Sequence, residues 1–497
     1  MKTNKTLLLF TILLAVFVVP SSISGTAIAL PFIAQELGNE PIALQWVVNA
    51  FNLFFASFTL IWGSLADRFG AKKCLLSGVF VYVLGSLLSI VAQDLLILDI
   101  ARAIAGIGGA SVFASGASLI IQNFEEQQRA RAFAFFGTTA GLGITFSPTI
   151  SGLLIDAFVS VSIAGLPVSY RAIFAFHSLV LILVLLLAPA IPTDKPSQKA
   201  SFDIVGASLF VVLLFAFMSL ISNIAHLNTE AMLSLALFVV SLFLFMWQQR
   251  SCYAKGKNPL LDLEVLKNKA FFGFTLVTVI AGFSFVVLLT YFPSFLQVVF
   301  SLSASASGLF MLALTTPMLF CPLLASKMLN AGWDSKKLAL LMSFLMSIGL
   351  ILLAFVLYFV AKEVQIILAL VLLFAIGVGM GLHAGAIDNL ALSSIDSSKA
   401  GLGAGVLNSC RLGSEAIGVA LYGALMLVFI TLTATTIGLE VADIGIIASA
   451  NIAEFKGDIS LGLLVYLKAF CVSIAILGAF CLILCVAIRR LLRNSRG

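Results

Sequence analysis

The chain has 497 residues, of which 61% are hydrophobic and only 10% are charged. Average soluble domains carry about a quarter charged residues, so this composition excludes a water-soluble globular protein. The formal net charge of +6 comes mostly from basic residues in short connecting loops, which indicates a membrane topology and argues against nucleic-acid binding.

Apolar runs long enough to cross a bilayer recur along the whole chain. A helix that rises about 1.5 Å per residue needs roughly twenty apolar residues to cross the hydrocarbon layer. Such segments are predicted near 8–30, 42–65, 74–93, 96–120, 131–156, 171–191, 204–224, 230–248, 270–293, 304–328, 338–360, 364–392, 400–432 and 461–488. The expected fold class is therefore an all-α integral membrane bundle with about fourteen transmembrane helices.

Basic residues divide unevenly between the two sides of this predicted bundle. If both termini are cytoplasmic, most of the 28 Lys and Arg residues fall in cytoplasmic loops and tails, as the positive-inside rule requires. We therefore expect a multi-pass protein of the cell inner membrane with both termini in the cytoplasm. The segment up to Ala29 mimics a cleaved secretory signal, but its apolar run is long enough to span, so we expect it to remain as the first helix.

Fourteen helices divide naturally into six, two and six. We predict an N-terminal six-helix half over residues 1–200, two linking transmembrane helices over 201–250, and a C-terminal six-helix half over 251–497.

All seven cysteines fall in predicted spans or cytoplasmic loops, so no disulfide framework is implied. The three histidines stand in unrelated places, so we expect neither a metal site nor a cofactor.

The loop between the second and third predicted helices carries the most specific motif, Gly63-Ser64-Leu65-Ala66-Asp67-Arg68-Phe69-Gly70-Ala71-Lys72. It resembles the signature loop of the major facilitator superfamily, Gly-x-Leu-Ala-Asp-Arg-x-Gly-Arg-Lys, and departs from it at Ala71. The glycines permit a tight turn, and Asp67 can accept hydrogen bonds from a helix N-terminus or from an arginine across the gate. The resemblance implies a gating motif made of Gly63, Asp67, Arg68, Gly70 and Lys72.

Weaker matches follow in the order that this superfamily has them. Residues 98–110 look like its fourth-helix motif, with Arg102 at the buried arginine. In the fifth helix, a weakened form of the antiporter motif consists of Gly143, Ser147, Pro148 and Gly152. With further landmarks in the second half, the matches cover residues 20–420 and are most like the fourteen-helix drug:proton antiporter branch. The resemblance implies a major facilitator type bundle of two six-helix halves plus two extra helices.

The first helix departs from that branch. The branch usually carries an acidic residue in a Leu-Asp-x-Thr-Val-Val-Asn-Val-Ala-Leu-Pro run, whereas this chain has Ser22 and Ala27 at the Asp and Asn positions. If the carboxylate in the first helix of the branch couples protons, this protein must couple elsewhere or not at all.

Ionisable residues inside the predicted helices are the candidates for transport and proton coupling, because each costs about 2.5–3.5 kcal/mol at mid-membrane on insertion scales. They are Asp99, Arg102, Asp388, Arg411 and Glu415. Asp99 with Arg102, and Arg411 with Glu415, have the spacing of neighbours on one helical face, so we expect each pair to meet. Mutual neutralisation and proton exchange both remain open for these pairs.

The expected function is secondary active transport, as proton-coupled efflux of amphipathic or drug-like small molecules by alternating access. The expected partners are a small-molecule substrate, protons and the lipid bilayer, with the chain acting as a monomer. A metabolite or siderophore exporter or importer of the same superfamily is the alternative. A membrane acyltransferase using His383 and Asp388 is remote, because a continuous helix would hold these side chains about 140° apart; we expect no enzyme.

Overall fold

The computed structural model describes residues 4–193, 203–223, 229–255, 267–395, 400–439, 441–455 and 457–493. Within these ranges, the side chains of Asp67 and of a few other helical residues lie outside the description.

Long helices dominate the chain. In chain order they are α1 Lys5–Leu37, α2 Pro41–Phe69, α3 Ala71–Val91, α4 Leu95–Asn123, α5 Glu126–Phe158, α6 Arg171–Leu186, α7 Ile204–Asn223, α8 Thr229–Ala254, α9 Lys269–Val299, α10 Ala304–Asn330, α11 Ser335–Phe359, α12 Lys362–Leu392, α13 Ala400–Thr436 and α14 Ile459–Arg493. Within the described residues, thirteen helices are long and apolar enough to cross a membrane, and α6 is a shorter apolar helix. The predicted all-α membrane bundle of about fourteen helices is confirmed.

Short polar residues fix where several helices begin. The side chain of Asp94 accepts a hydrogen bond from the backbone amide of Ile97 at 2.7 Å and so caps α4. Asp458 caps α14 in the same way, accepting from the hydroxyl of Ser460 at 2.6 Å and from its amide at 2.9 Å. Because these hydrogen bonds stabilise the ionised form, they lower the pKa of the exposed Asp458 carboxyl.

An even number of membrane crossings places the two ends of the chain on one side. We call this side the termini face; it carries Lys5, the turn at Gly70 and Arg493. The other side, the opposite face, carries the α1–α2 turn, a two-stranded antiparallel hairpin (Ser162–Ile163 with Leu166–Pro167) and the connection before α14. That connection contains a short helix, Val441–Ala448, and a 3-10 turn, Ile452–Glu454.

Two groups of six helices build the bundle, α1–α6 and α9–α14, each with its own buried apolar clusters. Helices α7 and α8 pack against each other at the seam between the groups. Leu214 and Met218 of α7 share one apolar cluster with Leu53 of α2 and Ala420 of α13. The linking pair therefore contacts both groups of six along the seam.

One connection closes the opposite face across the seam. Asn39, in the α1–α2 turn, accepts hydrogen bonds from the Ser449 hydroxyl and from the Asn451 side-chain amide, both at 3.0 Å. The Asn39 amide also donates to Glu454 at 2.9 Å. Residues 441–455, called the cap below, are thereby tied to the first group of helices.

Candidate functional site

Helices α5 and α10 hold the two groups of helices together near the opposite face. The hydroxyl of Thr145 donates to the carbonyl of Thr315 at 3.2 Å, and that of Thr149 donates to the carbonyl of Gly308 at 3.0 Å. Nearer the opposite face, Asp156 accepts hydrogen bonds from the amide and the hydroxyl of Ser305. These contacts join the two halves on that side.

The four residues predicted for the antiporter motif all lie at helix contacts of α5. On one side, Gly143 approaches the backbone of α1, and the Ser147 hydroxyl lies 2.7 Å from both the hydroxyl and the carbonyl of Ser21. On the other side, a Cβ at Gly152 would lie 2.3 Å from the carbonyl oxygen of Ala304, and the backbone of Pro148 contacts Gly308 of α10. The small residues of the motif thus let α5 pack closely against α1 in its own half and against α10 in the other half.

Arg102 of α4 is buried, at 1% exposure, and bridges three helices. Its Nη1 donates to the Ser22 hydroxyl at 2.7 Å, its Nη2 to the Ser22 carbonyl at 3.1 Å, and its Nε to the Val47 carbonyl at 3.0 Å. The guanidinium also lies 4.6 Å from the centre of the Phe51 ring, a cation–π contact. Ser22, which stands where the resembling branch has an acid, is therefore the direct partner of this arginine.

The expected pairing of Asp99 with Arg102 is wrong. Asp99 is partly buried one turn into α4, and its Oδ1 has no hydrogen-bond partner. The guanidinium points towards α1 and α2 because their carbonyl and hydroxyl oxygens offer three acceptors at hydrogen-bonding distance. Contacts with other helices thus determine the partners of Arg102, although Asp99 lies only three residues away on the same helix.

The expected pairing of Arg411 with Glu415 is also wrong. Arg411 forms an ion pair with Asp388 of α12, near the termini face. The Asp388 side chain is 54% exposed and that of Arg411 25%. This partly solvated pair leaves Glu415 without an ion pair or hydrogen bond in the described part of the chain.

Glu415 lies on the face of α13 that also carries Tyr422. At 100° per residue, Glu415 and Tyr422 of α13 differ by about 20° and so share one face of that helix. The neighbouring face packs on α9, where a Cβ at Gly282 would lie 2.8 Å from the Glu415 backbone nitrogen. Gly282 begins a π-helical turn, Gly282–Val286, a distortion that is frequent at functional sites.

The gating motif forms the turn between α2 and α3. Gly70 alone separates the two helices and has φ +99°, a conformation that disfavours a side chain, so the turn requires glycine here. The Lys72 ammonium donates to the Ile191 carbonyl beyond α6, and Arg68 lies over the ring of Phe69. Gly63 has open space around it, and the side chain of Asp67 lies outside the described residues.

A cavity lies between the halves near the opposite face and holds about 520 Å³ of space, counting the part open to solvent. Its polar lining consists of Gln45 from α2, Tyr291 and Ser294 from α9, Tyr422 from α13, Tyr466 from α14 and Ser449 from the cap. Apolar residues such as Leu30 and Met426 complete the wall. All the lining residues are described, and none of them is charged.

The sequence analysis missed a polar stripe on α2. Gln45, Asn49 and Asn52 are all buried, and each has one amide atom without a hydrogen-bond partner. Their spacing of four and then three residues places them on one helical face. Three amides at helical spacing in an otherwise apolar helix is the signal that could have revealed them.

The remaining histidine candidate is an interior, hydrogen-bonded residue. His383 Nε2 lies 3.3 Å from the Thr278 hydroxyl, and Asp388 is engaged by Arg411. Across the described ranges, no cluster of three or more His, Cys, Asp and Glu residues could hold a metal ion.

Comparison with known proteins gives the same fold and class. The family model of the Major Facilitator Superfamily matches residues 12–419. Over 415 residues the chain is 27% identical to the multidrug resistance protein Stp of Mycobacterium tuberculosis (strain CDC 1551 / Oshkosh), covering 82% of this chain and 73% of that protein. Over 425 residues it is 24% identical to the riboflavin transporter RibZ of Clostridioides difficile (strain 630), covering 85% and 88%.

A solved structure extends the similarity over the whole chain. A bacterial homologue of the human lysosomal transporter Spinster, in an inward-facing and unoccupied conformation, superposes with a TM-score of 0.69 at 15% identity, covering 100% of this chain and 99% of that one. This similarity concerns the fold. Since the family model spans most of the sequence, the chain belongs to the Major Facilitator Superfamily and is a membrane transporter rather than an enzyme.

Proposed function

We propose that the protein is a proton-coupled secondary transporter that exports amphipathic or drug-like small molecules by alternating access. The proposal rests above all on Glu415, a carboxyl group within a membrane helix that forms no hydrogen bond or ion pair with the described residues, since Arg411 on the same helix pairs with Asp388. Its face of α13 also carries Tyr422, which lines the cavity between the halves. An ionisable group placed along an internal path is a functional candidate by default.

In this proposal Glu415 binds and releases the coupling proton as the halves rock. Asp99 is the second candidate, because its Oδ1 is buried without a partner. Arg102 holds α1, α2 and α4 together, and Asp388 with Arg411 forms an ion pair at the termini face. The gating turn at Gly70 and the α5–α10 contact are the elements that change as the path opens on one side or the other.

The proposed topology places both termini in the cytoplasm of a bacterial cell, in its inner membrane. The basic residues on the termini face support this orientation, because cytoplasmic loops hold most Lys and Arg. Transport would then run from the termini face towards the cap. We further propose the predicted division into residues 1–200, 201–250 and 251–497 as the moving halves and their linker.

A metabolite transporter is the second candidate. It is favoured by Ser22, since this chain lacks the acidic residue of the drug:proton branch at that position. The similarity to a protein named as a riboflavin transporter also favours it. Expression in an efflux-deficient host separates the two candidates. Drug efflux raises tolerance to cationic or other drug-like compounds, and unchanged tolerance to every compound tested would exclude it.

Coupling is tested in proteoliposomes with an imposed pH gradient, by transport of two planar drug-like compounds, the cation ethidium and an uncharged one. We expect the wild-type protein to respond to the gradient and Glu415→Gln to lose that response. Asp99→Asn tests the second candidate, and Asp388→Asn is the matched control, since it removes a carboxylate that is already paired. Equal gradient dependence in all four proteins would remove Glu415 and Asp99 as coupling sites.

A further inference from the structure

The cavity near the opposite face combines features that together describe a ligand. Three of its lining side chains carry buried polar atoms without a hydrogen-bond partner: Gln45 Oε1, Ser294 Oγ and Tyr422 Oη. These side chains are 7%, 3% and 1% exposed. Because burying an unpaired polar group is costly, the arrangement is explained if a bound molecule supplies the missing partners.

The polar atoms also specify which hydrogen bonds the molecule makes. Gln45 Oε1 can only accept, so it requires a donor on the ligand. The hydroxyl groups of Ser294 and Tyr422 can donate, so they match an acceptor on the ligand. A ligand with a donor and an acceptor on one edge, such as a lactam, satisfies both requirements.

Aromatic rings shape the rest of the cavity. The rings of Tyr291 and Tyr422 lie 4.3 Å apart, and the hydroxyl of Tyr291 is already used, since it donates to the Val419 carbonyl at 3.2 Å. Tyr466 adds a third ring to the wall. Aromatic rings in a wall favour a flat aromatic partner, which can pack on their edges as well as on their faces. The absence of charged residues from the lining, all of which is described, offers no counter-ion to a cation or an anion.

We propose that this cavity binds uncharged, planar aromatic molecules that carry a hydrogen-bond donor beside an acceptor. The inference rests on the proposed function, since it assigns the substrate class of the exporter. It separates two tasks: the cavity under the cap recognises the substrate, and Glu415, about 10 Å further along α13 by helix rise, handles the proton.

One contact makes the position of the Gln45 amide depend on a glycine. A Cβ at Gly423 would lie 2.3 Å from Gln45 Cδ and Nε2 and 2.5 Å from its Oε1. Because the Gln45 amide is the end of a flexible side chain, Gly423→Ala displaces it instead of forcing the helices apart. This variant therefore removes the acceptor from its place without changing its chemistry.

Equilibrium dialysis of the purified protein with three probes of one size tests the proposal. The probes are quinolin-2(1H)-one, which has the donor and the acceptor, 1-methylquinolin-2-one, which lacks the donor, and the cation 1-methylquinolinium. We expect the lactam to bind best, the N-methyl lactam about fivefold less well, as for the loss of one hydrogen bond, and the cation least. Tighter binding of the cation, or no saturable binding of the lactam, overturns the proposal.

Variants locate the binding in this cavity. Tyr422→Phe and Gly423→Ala should each weaken lactam binding about fivefold, the effect of one hydrogen bond. Tyr170→Phe is the matched control, because it also removes a buried tyrosine hydroxyl without a partner, outside the cavity lining. Equal affinity in Tyr422→Phe and Tyr170→Phe would refute the site.

Binding and transport fail separately. A protein that moves either compound with the pH gradient but does not bind the lactam contradicts only this inference. A protein that binds the lactam selectively but moves neither the cationic nor the uncharged compound with the pH gradient contradicts only the proposed function.

Discussion

The guanidinium of Arg102 donates to the hydroxyl of Ser22 at 2.7 Å, in the buried interior where α1 meets α4. A buried positive charge depends on such partners, because a charged group without hydrogen bonds in a low-dielectric interior is strongly destabilised. Here a neutral hydroxyl and two backbone carbonyls take the place of a carboxylate.

Removing this hydroxyl should lower stability measurably. We expect Ser22→Ala to cost about 1.5–3 kcal/mol, the usual value of a hydrogen bond to a charged group. The matched control is Ser24→Ala, since the Ser24 hydroxyl donates within its own helix, to the Pro20 carbonyl at 3.1 Å. Thermal unfolding in detergent measures the stability of both alanine variants. Ser22→Asp should remain at least as stable as the wild-type protein, because its carboxylate can pair with the guanidinium. Equal melting temperatures for both alanine variants would contradict the assigned role.

The close contact between α5 and α10 should make Gly152 intolerant of a side chain. The Cβ of Gly152→Ala would meet a backbone carbonyl at 2.3 Å, which cannot move without shifting a helix. We expect a loss of about 1–3 kcal/mol, as for other overpacked contacts, together with reduced transport. Gly137→Ala in the same helix has nothing within 4 Å and should be neutral. Similar melting temperatures and transport rates for both variants would show that neither stability nor transport depends on the close contact at Gly152.

Two ion pairs with different burial should respond differently to neutralisation. Asp388→Asn should cost less than about 1 kcal/mol, because its pair with Arg411 is largely solvated. Glu36→Gln should cost about 1.5–3 kcal/mol, because the Arg171 side chain that it serves is only 4% exposed. Shifts in the unfolding midpoint test this order. A larger loss of stability for Asp388→Asn than for Glu36→Gln would contradict this order.

Weakening the cap should open the cavity to the opposite face. Asn39→Ala removes three hydrogen bonds between the α1–α2 turn and the cap. With Ser294→Cys as the reporter in the cavity, we expect labelling of whole cells by a membrane-impermeant maleimide to rise about fivefold or more, since each hydrogen bond contributes about 1 kcal/mol.

Ser460→Ala is the control for this experiment, because among the described residues the Ser460 hydroxyl bonds only to Asp458 beside it. Native thiols contribute a background, measured on the protein without Ser294→Cys; six of the seven are buried and Cys410 is partly so. An unchanged labelling rate in Asn39→Ala would show that the cap does not restrict access.

The membrane bundle could be predicted because lipid imposes a simple rule. Every backbone group must be paired within the membrane, so each crossing is a helix of roughly twenty apolar residues and leaves a readable apolar run. Even α6, with sixteen residues from Arg171 to Leu186, was found in this way. Small residues of the antiporter motif were also recognisable, because close helix packing restricts residue size.

The partners of the ionisable residues could not be predicted from spacing. Helical periodicity states which neighbours on one helix are within reach, but Arg102 found its acceptors on α1 and α2, and Arg411 found Asp388 on α12. Which partner an ionisable residue finds depends on how each helix is rotated about its axis and how deep it lies in the membrane. The periodicity of a single segment does not give either quantity. The cavity likewise combines residues from five helices and the cap.

The linking helices have a mechanical consequence. Because α7 touches α2 in one half and α13 in the other, rocking of one half against the other must shear at least one of these contacts. Most of α8 faces outward, away from the protein interior. The surrounding acyl chains therefore contact the helix pair that joins the two halves, so in the proposed alternating access the lipid lies directly against a moving contact.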